Sequence, residues 1–272
     1  TVFLPGKPAF STLAAGFDQP TFQARLRYDD ETYDEYTPSF KKLNNAAKFL
    51  GHAELIAGED FPFVNVDTGP YGLFQFGITG MIRALFALQY YSGPNLNTDF
   101  KVSFPVTYAM GTWSARCAYY HISCHAGDEL IVSNPQFKRV NTSREGIEFF
   151  VSKYIFDVLR IYGGSTIIVR YDETCRLKRF LFESGIEFKP YIPRYFNYAP
   201  RNFTPYTAFH IRTWQQYNWV PDINVMLGLE LTGTIPASAR LLRIFGHYYH
   251  GHSPDGQFLN TATDYLGLGL SF

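Results

Sequence analysis

The chain ends in Asp264-Tyr-Leu-Gly-Leu-Gly-Leu-Ser-Phe272, and this stretch decides the fold. In an extended chain Leu266, Leu268, Leu270 and Phe272 share one side, and Tyr265, Gly267, Gly269 and Ser271 share the other. A period of two marks a strand whose faces meet different surroundings. Here one face is wholly large and apolar, and the chain stops on a Phe. Strands of outer-membrane barrels are built this way, with apolar side chains toward lipid and small or polar ones toward the interior. An edge strand of a soluble sandwich also alternates, so the reading depends on whether other segments repeat the pattern.

They do. Ile223, Val225, Leu227, Leu229 and Leu231 oppose Asn224, Met226, Gly228 and Glu230. Phe100, Val102, Phe104, Val106 and Tyr108 oppose Asp99, Lys101, Ser103 and Thr107. Phe180, Phe182, Ile186 and Phe188 oppose Arg179, Glu183 and Glu187, and Ala24, Leu26 and Tyr28 oppose Gln23, Arg25 and Arg27. Between Gly72 and Leu88, Phe74, Phe76, Ile78, Ile82 and Phe86 stand against Gln75, Thr79 and Arg83. Each segment is roughly ten residues, the length a tilted strand needs to cross a bilayer. The apolar faces are long and nearly uninterrupted, and the polar faces carry charges of both signs.

The pattern predicts an all-β fold: a closed antiparallel transmembrane barrel of about twelve strands, a single domain over residues 1–272. The strands are expected at 19–28, 52–64, 72–89, 99–109, 112–126, 144–154, 157–170, 177–189, 203–215, 222–232, 238–250 and 262–272. Connections after odd-numbered strands are long. Most of those after even-numbered strands are tight, such as Asp67-Thr-Gly-Pro70 and Met110-Gly111. The exception is 190–202, which is long where a short turn is expected. Long outer loops and short periplasmic turns are the barrel habit, so both chain ends are expected on the periplasmic side, with residues 1–18 as a periplasmic segment. The first long loop, 29–51, contains Ser39 to Leu50, which reads as a short helix.

Composition agrees. Lys+Arg and Asp+Glu are 24 each, so the net charge is zero, which argues against nucleic acid as a partner. Aromatics make up 18 %, with 26 Phe and 20 Tyr, as aromatic girdles require. No run is apolar for ~18 residues, so no transmembrane helix is expected. The start, Thr1-Val-Phe-Leu-Pro5, lacks the form of a signal peptide, as in a chain whose leader has been removed. Three cysteines, Cys117, Cys124 and Cys175, make no disulfide framework; Cys117 and Cys124 would face opposite sides of one strand, and a bridge involving Cys175 is left open.

Several segments together resemble a bacterial family. They are Phe3-Leu-Pro5, Asp18-Gln-Pro20 with Phe22, Trp113-Ser-Ala-Arg116, Tyr120-His-Ile-Ser-Cys-His-Ala-Gly-Asp-Glu129, His250-Gly-His-Ser-Pro-Asp-Gly-Gln-Phe258 and Tyr265 to Leu270. The chain is similar over nearly its whole length to domain-of-unknown-function family 1207, an uncharacterised family grouped with outer-membrane barrels. The resemblance implies the fold and leaves the activity open.

Two clusters hold chemistry-bearing residues. One is His121, Ser123, His125, Asp128 and Glu129; the other is His247, His250, His252 and Asp255. Both are expected at the outer rim, facing each other across the barrel mouth. The pair His121-x-Ser123 resembles the His-x-Ser pair of outer-membrane phospholipase A and of lipid A deacylases. There an imidazole takes the serine proton and an Asn or Glu on the next strand orients the imidazole. Asn134, Asn141, Glu145 and Glu148 are candidate third members. Against this, Cys124 stands where those enzymes have Asn. Ala118, Tyr120, Ile122 and Cys124 also look like the lipid face of this strand, which would turn His121 and Ser123 inward. A metal reading uses His121, His125 and Asp128, or His250, His252 and Asp255. A plainer reading has His125, Asp128, Glu129, His250, His252 and Asp255 hydrogen-bonding across the mouth to pin the loops.

Inner faces are expected to carry Arg25, Arg27, Arg83, Lys101, Glu148, Arg160, Arg179, Glu183, Glu187, His210, Arg212, Glu230 and Arg243. These either line a narrow anion-preferring pore or pair with one another and seal the barrel. The sequence thus predicts a non-catalytic barrel of the outer membrane of a Gram-negative-type bacterium, a narrow solute channel or sealed. The alternative is a lipid or acyl hydrolase using His121 and Ser123. Adhesion or assembly through the long outer loops is a third reading. No cofactor is expected. The expected partners are outer-membrane lipids, lipopolysaccharide, and the barrel-assembly machinery that reads the strand ending at Phe272.

Overall fold

A computed structural model describes residues 1–29, 33, 36–37, 51–190, 203–232 and 241–272. A two-residue strand β1 (Val2–Phe3) precedes β2 (Gln23–Asp29), β3 (His52–Asp67), β4 (Leu73–Ala87), β5 (Asn95–Met110) and β6 (Trp113–Ala126). After the short helix α1 (Asp128–Ser133) come β7 (Arg144–Ile155), β8 (Leu159–Tyr171), β9 (Phe180–Phe188) and β10 (Phe203–Trp214). The last three strands are β11 (Pro221–Thr232), β12 (Leu241–His252) and β13 (Ala262–Ser271). Each predicted strand is present, with ends displaced by about four residues at most.

Every neighbour from β2 to β13 pairs antiparallel, and β13 pairs with β2 from Ser271–Gln23 to Tyr265–Asp29, which closes a twelve-stranded barrel. β1 lies beside β3, with Val2 opposite Asn65. The strands are strongly staggered. A row that leaves the last residue of β3, Asp67, passes Leu73, Ala109, Ser114, Ser152, Tyr162 and Gly185. It continues through His210, Asn224, Tyr249 and Tyr265 to Asp29, which lies beside the opposite end of β3, where Arg27 pairs with His52. Such shear goes with steeply tilted strands.

The faces separate as the alternation requires. Leu266, Leu268, Leu270 and Phe272 are exposed outward, with Leu26, Phe104, Ile186 and Leu227 continuing an apolar outer surface. Inward, Gly267 and Gly269 make room for larger partners: a Cβ on Gly267 would lie 2.0 Å from His247 Nε2, and one on Gly269 2.4 Å from Phe245 Cζ. The Gly-x-Gly of the last strand is therefore a packing device. Connections of a few residues at 68–72, 111–112 and 156–158 join the strands at one end. Phe156 and Asp157, both at positive φ, make the turn in the last of these. The expected helix in 39–50 and most of the 190–202 connection lie outside the described residues.

No helix among the described residues is long and apolar enough to cross a membrane. The three cysteines are free: Cys117 is exposed and Cys124 buried, on opposite faces of β6 as expected, and Cys175 forms no bridge.

Of the segment expected as a periplasmic extension, residues 1–18, the first seven are mostly exposed, whereas 8–18 lie inside the barrel. Gln75 holds it at one point, accepting from Ala9 N at 2.8 Å and donating to Lys7 O at 2.9 Å. Arg160 donates to Ser11 O at 2.7 Å, Glu187 accepts from Ala14 N at 2.7 Å, and Asn224 donates to Ala15 O at 2.9 Å. Its apolar side chains fill the remaining lumen: Phe10 and Leu13 pack with Phe150 and Tyr162, and Phe17 packs with Tyr249 and Tyr265. From the other end residues 253–259 fold inward, where Asp255 meets Arg27 at 2.8 Å and Gln257 donates to Val140 O at 2.8 Å.

Charges inside this filled lumen pair with one another. Arg25 and Arg27 share Glu54, and Arg83 meets Asp99 at 2.8 Å and Asp18 at 2.9 Å. Lys101 and Arg116 share Glu148 at 3.0 and 2.7 Å. Arg160 meets Glu187 at 3.3 Å, Arg212 meets Asp222 at 2.8 Å, and Arg243 and Lys189 share Glu230 at 3.0 and 2.7 Å. His210, fully buried, lies 3.5 Å from Glu183. Buried ions need such partners because an unpaired one is costly to desolvate. Of the expected interior charges only Arg179 departs: it precedes β9 and is exposed, since the strand that would have held it inward starts one residue later.

Candidate functional site

Strand β6 runs Trp113 to Ala126 between β5 and β7. Its buried side is Ser114, Arg116, Ala118, Tyr120, Ile122 and Cys124; Trp113, Cys117, Tyr119, His121, Ser123 and His125 face outward. The expectation that His121 and Ser123 turn inward is therefore corrected. The physical reason is Arg116. It shares parity with Ala118, Tyr120, Ile122 and Cys124, and its guanidinium reaches Glu148 in the lumen. A charge in the lipid-facing row would cost several kcal/mol, so Arg116 sets the whole register inward. The apolar residues beside it cover an interior that is packed rather than wet. Cys124 contacts Asn97 Oδ1 at 3.1 Å and Gln257 Nε2 at 3.1 Å.

The outward face places three chemically matched groups together. His121 and Ser123 are two residues apart on one side of β6, near its end. On β7, Glu145 is the direct register partner of His121, and its Oε1 lies 3.6 Å from His121 Nδ1. Tyr119, one step along the same outer row, donates its hydroxyl to Glu145 Oε2 at 2.8 Å. The carboxylate is thus held on one oxygen by a phenol and turned toward the imidazole with the other. Below the site the outer face is apolar, with Phe104, Ile147, Phe149 and Ile167 exposed. Phe100, opposite Ser123 on β5, packs edge-on to His125 at 5.6 Å between ring centres.

Among the expected third members only Glu145 reaches His121. Glu148 is inside with Lys101 and Arg116. Asn134 closes α1 and donates to Tyr36 O at 2.8 Å, and Asn141 donates to Asp172 at 2.7 Å. That same Asp172 accepts from the hydroxyl and backbone N–H of Thr174, which holds its carboxyl below the ordinary value.

The other expected site residues are dispersed. Asp128 and Glu129 occupy the first turn of α1, where their charge complements the helix N-terminus. His250 points outward to Asp264 on β13. His252 lies 3.0 Å from Asp222 and stacks on Tyr217 at 3.6 Å, and Asp255 is inside the lumen with Arg27. His247 is buried between Phe245 and Tyr265. His250, His252 and Asp255 thus do not converge, and no group of three or more His, Cys, Asp or Glu among the described residues could hold a metal ion. His252 meets Asp222 on the neighbouring strand and Asp255 meets Arg27 in the lumen, whereas His125 and His250 face outward.

Sequence reasoning passed over Tyr119, Arg116 and Arg170. Arg170 lies outward on β8, opposite Glu145, with its guanidinium 3.8 Å from Glu145 Oε1. Arg116 carried a usable signal, its parity. Arg170 carried none, because its direction depends on a bulge.

The fold has known relatives. Outer membrane phospholipase from Salmonella typhi, in a structure of the dimer with bound calcium, matches with a TM-score of 0.59 and 11 % identity, over 95 % of this chain and 93 % of its own. Outer membrane phospholipase A from Escherichia coli matches with a TM-score of 0.60 and 11 % identity, over 95 % and 91 %. The KdgM porin matches with a TM-score of 0.45 and 8 % identity, over 93 % of this chain and 98 % of its own, too loosely to carry an argument. At these identities the likeness is one of fold. No curated protein matches the sequence. The family model described as Protein of unknown function (DUF1207) matches residues 11–272, and the chain belongs to that family.

Proposed function

We propose that the protein is an acyl hydrolase acting on membrane lipids at the outer wall of its barrel, with Ser123 as nucleophile, His121 as general base and Glu145 as the group that orients His121. The observation that carries this reading is the register pair His121–Glu145, 3.6 Å apart on the apolar outer face, with Ser123 two residues on. A carboxylate at Nδ1 leaves Nε2 to take the proton of Ser123 Oγ as that oxygen attacks an ester carbonyl. The proton then passes to the departing alcohol, and water resolves the acyl-enzyme to a free fatty acid. The position of the groups suits a lipid substrate, which reaches a barrel laterally through the bilayer rather than through the lumen.

The filled lumen, with its paired charges, supports a wall-based activity over conduction. The space left beside Asp18, Lys101 and Glu148 is about 40 Å³, room for a few water molecules. The apolar outer belt, with the alternating face of β13, supports a place in the outer membrane of a Gram-negative-type envelope. There the neighbours are phospholipid and lipopolysaccharide, and the barrel-assembly machinery would read the last strand. Long connections at the His121 end favour the outer leaflet for the site.

A serine-directed fluorophosphonate tests the nucleophile. Ser123 Oγ should displace fluoride and form a phosphonate ester, seen by intact mass, in the wild type and not in Ser123→Ala. Labelling at another residue, or none in folded protein, contradicts the reading.

A further inference from the structure

The pairing of β7 with β8 skips a residue beside the site. Glu145 pairs with Arg170 and Gly146 with Ile168, so Val169 is the extra residue of a β-bulge. Ile168 is 1 % exposed and faces inward, and regular alternation would turn Arg170 inward with it. Instead the bulge brings Arg170 out beside Glu145, with its side chain 79 % exposed. Bulges re-aim side chains in this way, often next to sites. Glu145 accepts the Tyr119 hydroxyl on Oε2, and its Oε1 stands 3.6 Å from His121 Nδ1 and 3.8 Å from the Arg170 guanidinium, close enough for charge attraction and too long for a hydrogen bond in either case. Among the described residues the guanidinium donates no hydrogen bond. It stands at the end of β8, past the exposed apolar side chains of Ile147 and Ile167. The groove there is lined by His121, Ser143, Glu145, Arg170, Asp172 and Glu173. Asp172 is committed to Thr174 and Asn141.

We propose that Arg170 binds the phosphate of a lipid headgroup, so that the substrate class of this site is a phosphorylated membrane lipid. A planar guanidinium matches phosphate oxygens two at a time. With the phosphate on Arg170, the acyl ester lies two strand spacings away, about 10 Å, over His121 and Ser123. The chemistry rests on the hydrolase reading above; the binding does not.

The test uses the full-length protein in detergent micelles, in two arms. In the first, Ser123→Ala is measured for equilibrium binding of phosphatidylglycerol, of diacylglycerol with the same chains, and of inorganic phosphate. Phosphatidylglycerol should bind at least tenfold more tightly than diacylglycerol, and Ser123→Ala with Arg170→Ala should lose that preference. Binding of inorganic phosphate alone, with no preference among the lipids, would overturn the headgroup assignment. In the second arm, Arg170→Ala should raise KM for phosphatidylglycerol about tenfold and lower hydrolysis of a short neutral nitrophenyl ester far less, with Arg170→Lys intermediate. Equal losses on both substrates, with a shifted pH profile, would make Arg170 a support for Glu145 and sink the proposal. An Arg170-dependent lipid preference without any hydrolysis by the wild type would remove the hydrolase reading and leave the headgroup site standing.

Discussion

His121 Nδ1 lies 3.6 Å from Glu145 Oε1, and the two residues are direct partners across the β6–β7 pair. Because they are opposed in the register, any motion of one strand carries both, and the imidazole keeps its orientation without a loop to hold it. Glu145→Gln should retain the fold and lower acyl hydrolysis by about 10²–10⁴-fold, because an amide cannot stabilise the imidazolium formed in the reaction. Tyr119→Phe, which removes only the 2.8 Å hydrogen bond to Glu145, should cost less, about tenfold. Steady-state kinetics on one phospholipid check both; wild-type activity in Glu145→Gln would contradict the assignment.

Inside the barrel Arg27 is fully buried between Glu54 and Asp255. Arg27→Met takes from Asp255 its 2.8 Å partner and leaves Glu54 to Arg25 alone, and should destabilise the fold by about 3–5 kcal/mol. The midpoint of urea unfolding in lipid vesicles measures it. Exchanging Arg27 and Glu54 together for apolar residues should cost less than Arg27→Met alone.

Asp18 ties the N-terminal segment to Arg83. Burial alone would raise its pKa, but Arg83, then Lys101, Arg144 and Arg212, outweigh that and hold the carboxyl below its ordinary value of 3.8. A depressed folded-state pKa gives a stabilisation that is full above 3.8 and is lost as the pH falls through the folded value. The segment should therefore stay seated at neutral and mildly acid pH and loosen only below about pH 4. Planar-bilayer conductance reports it: silence at pH 7, steps appearing in strong acid, and steps at pH 7 in Asp18→Asn. Conductance of the wild type at pH 7 would contradict a sealed lumen.

Leu268 is 70 % exposed in the outer belt, one residue from the buried-side Gly267. Leu268→Arg should cost about 2–4 kcal/mol if that position meets the bilayer midplane. Gly267→Ala should also destabilise, for a different reason, since its Cβ would meet His247 and the backbone of Leu26. Vesicle unfolding separates the two, because only the first penalty shrinks when the same substitution is moved toward the end of the strand.

The strands were legible because each carries its own alternation, and closure follows once twelve of them share an apolar face. The facing of β6 was harder to read. Ala118, Tyr120, Ile122 and Cys124 are apolar yet buried, because they pack against a filled interior rather than lipid. In such a strand apolarity marks both faces, and only Arg116 distinguished them. The plugging segment left no trace in the local pattern. Residues 7–18 are irregular, and their partners, Gln75, Glu187 and Asn224 among them, stand far away in the chain. Arg170 was hidden for a third reason: a one-residue bulge reverses its direction, and alternation cannot foresee it.

The central claim is that chemistry occurs on the outer wall at Ser123. Its most direct measurement is fatty-acid release from phosphatidylglycerol in mixed micelles by purified, folded wild type against Ser123→Ala. The account predicts release by the wild type and a loss of at least 10³-fold in Ser123→Ala, with the two proteins equally stable. Equal release by both, or none by the wild type, would contradict it.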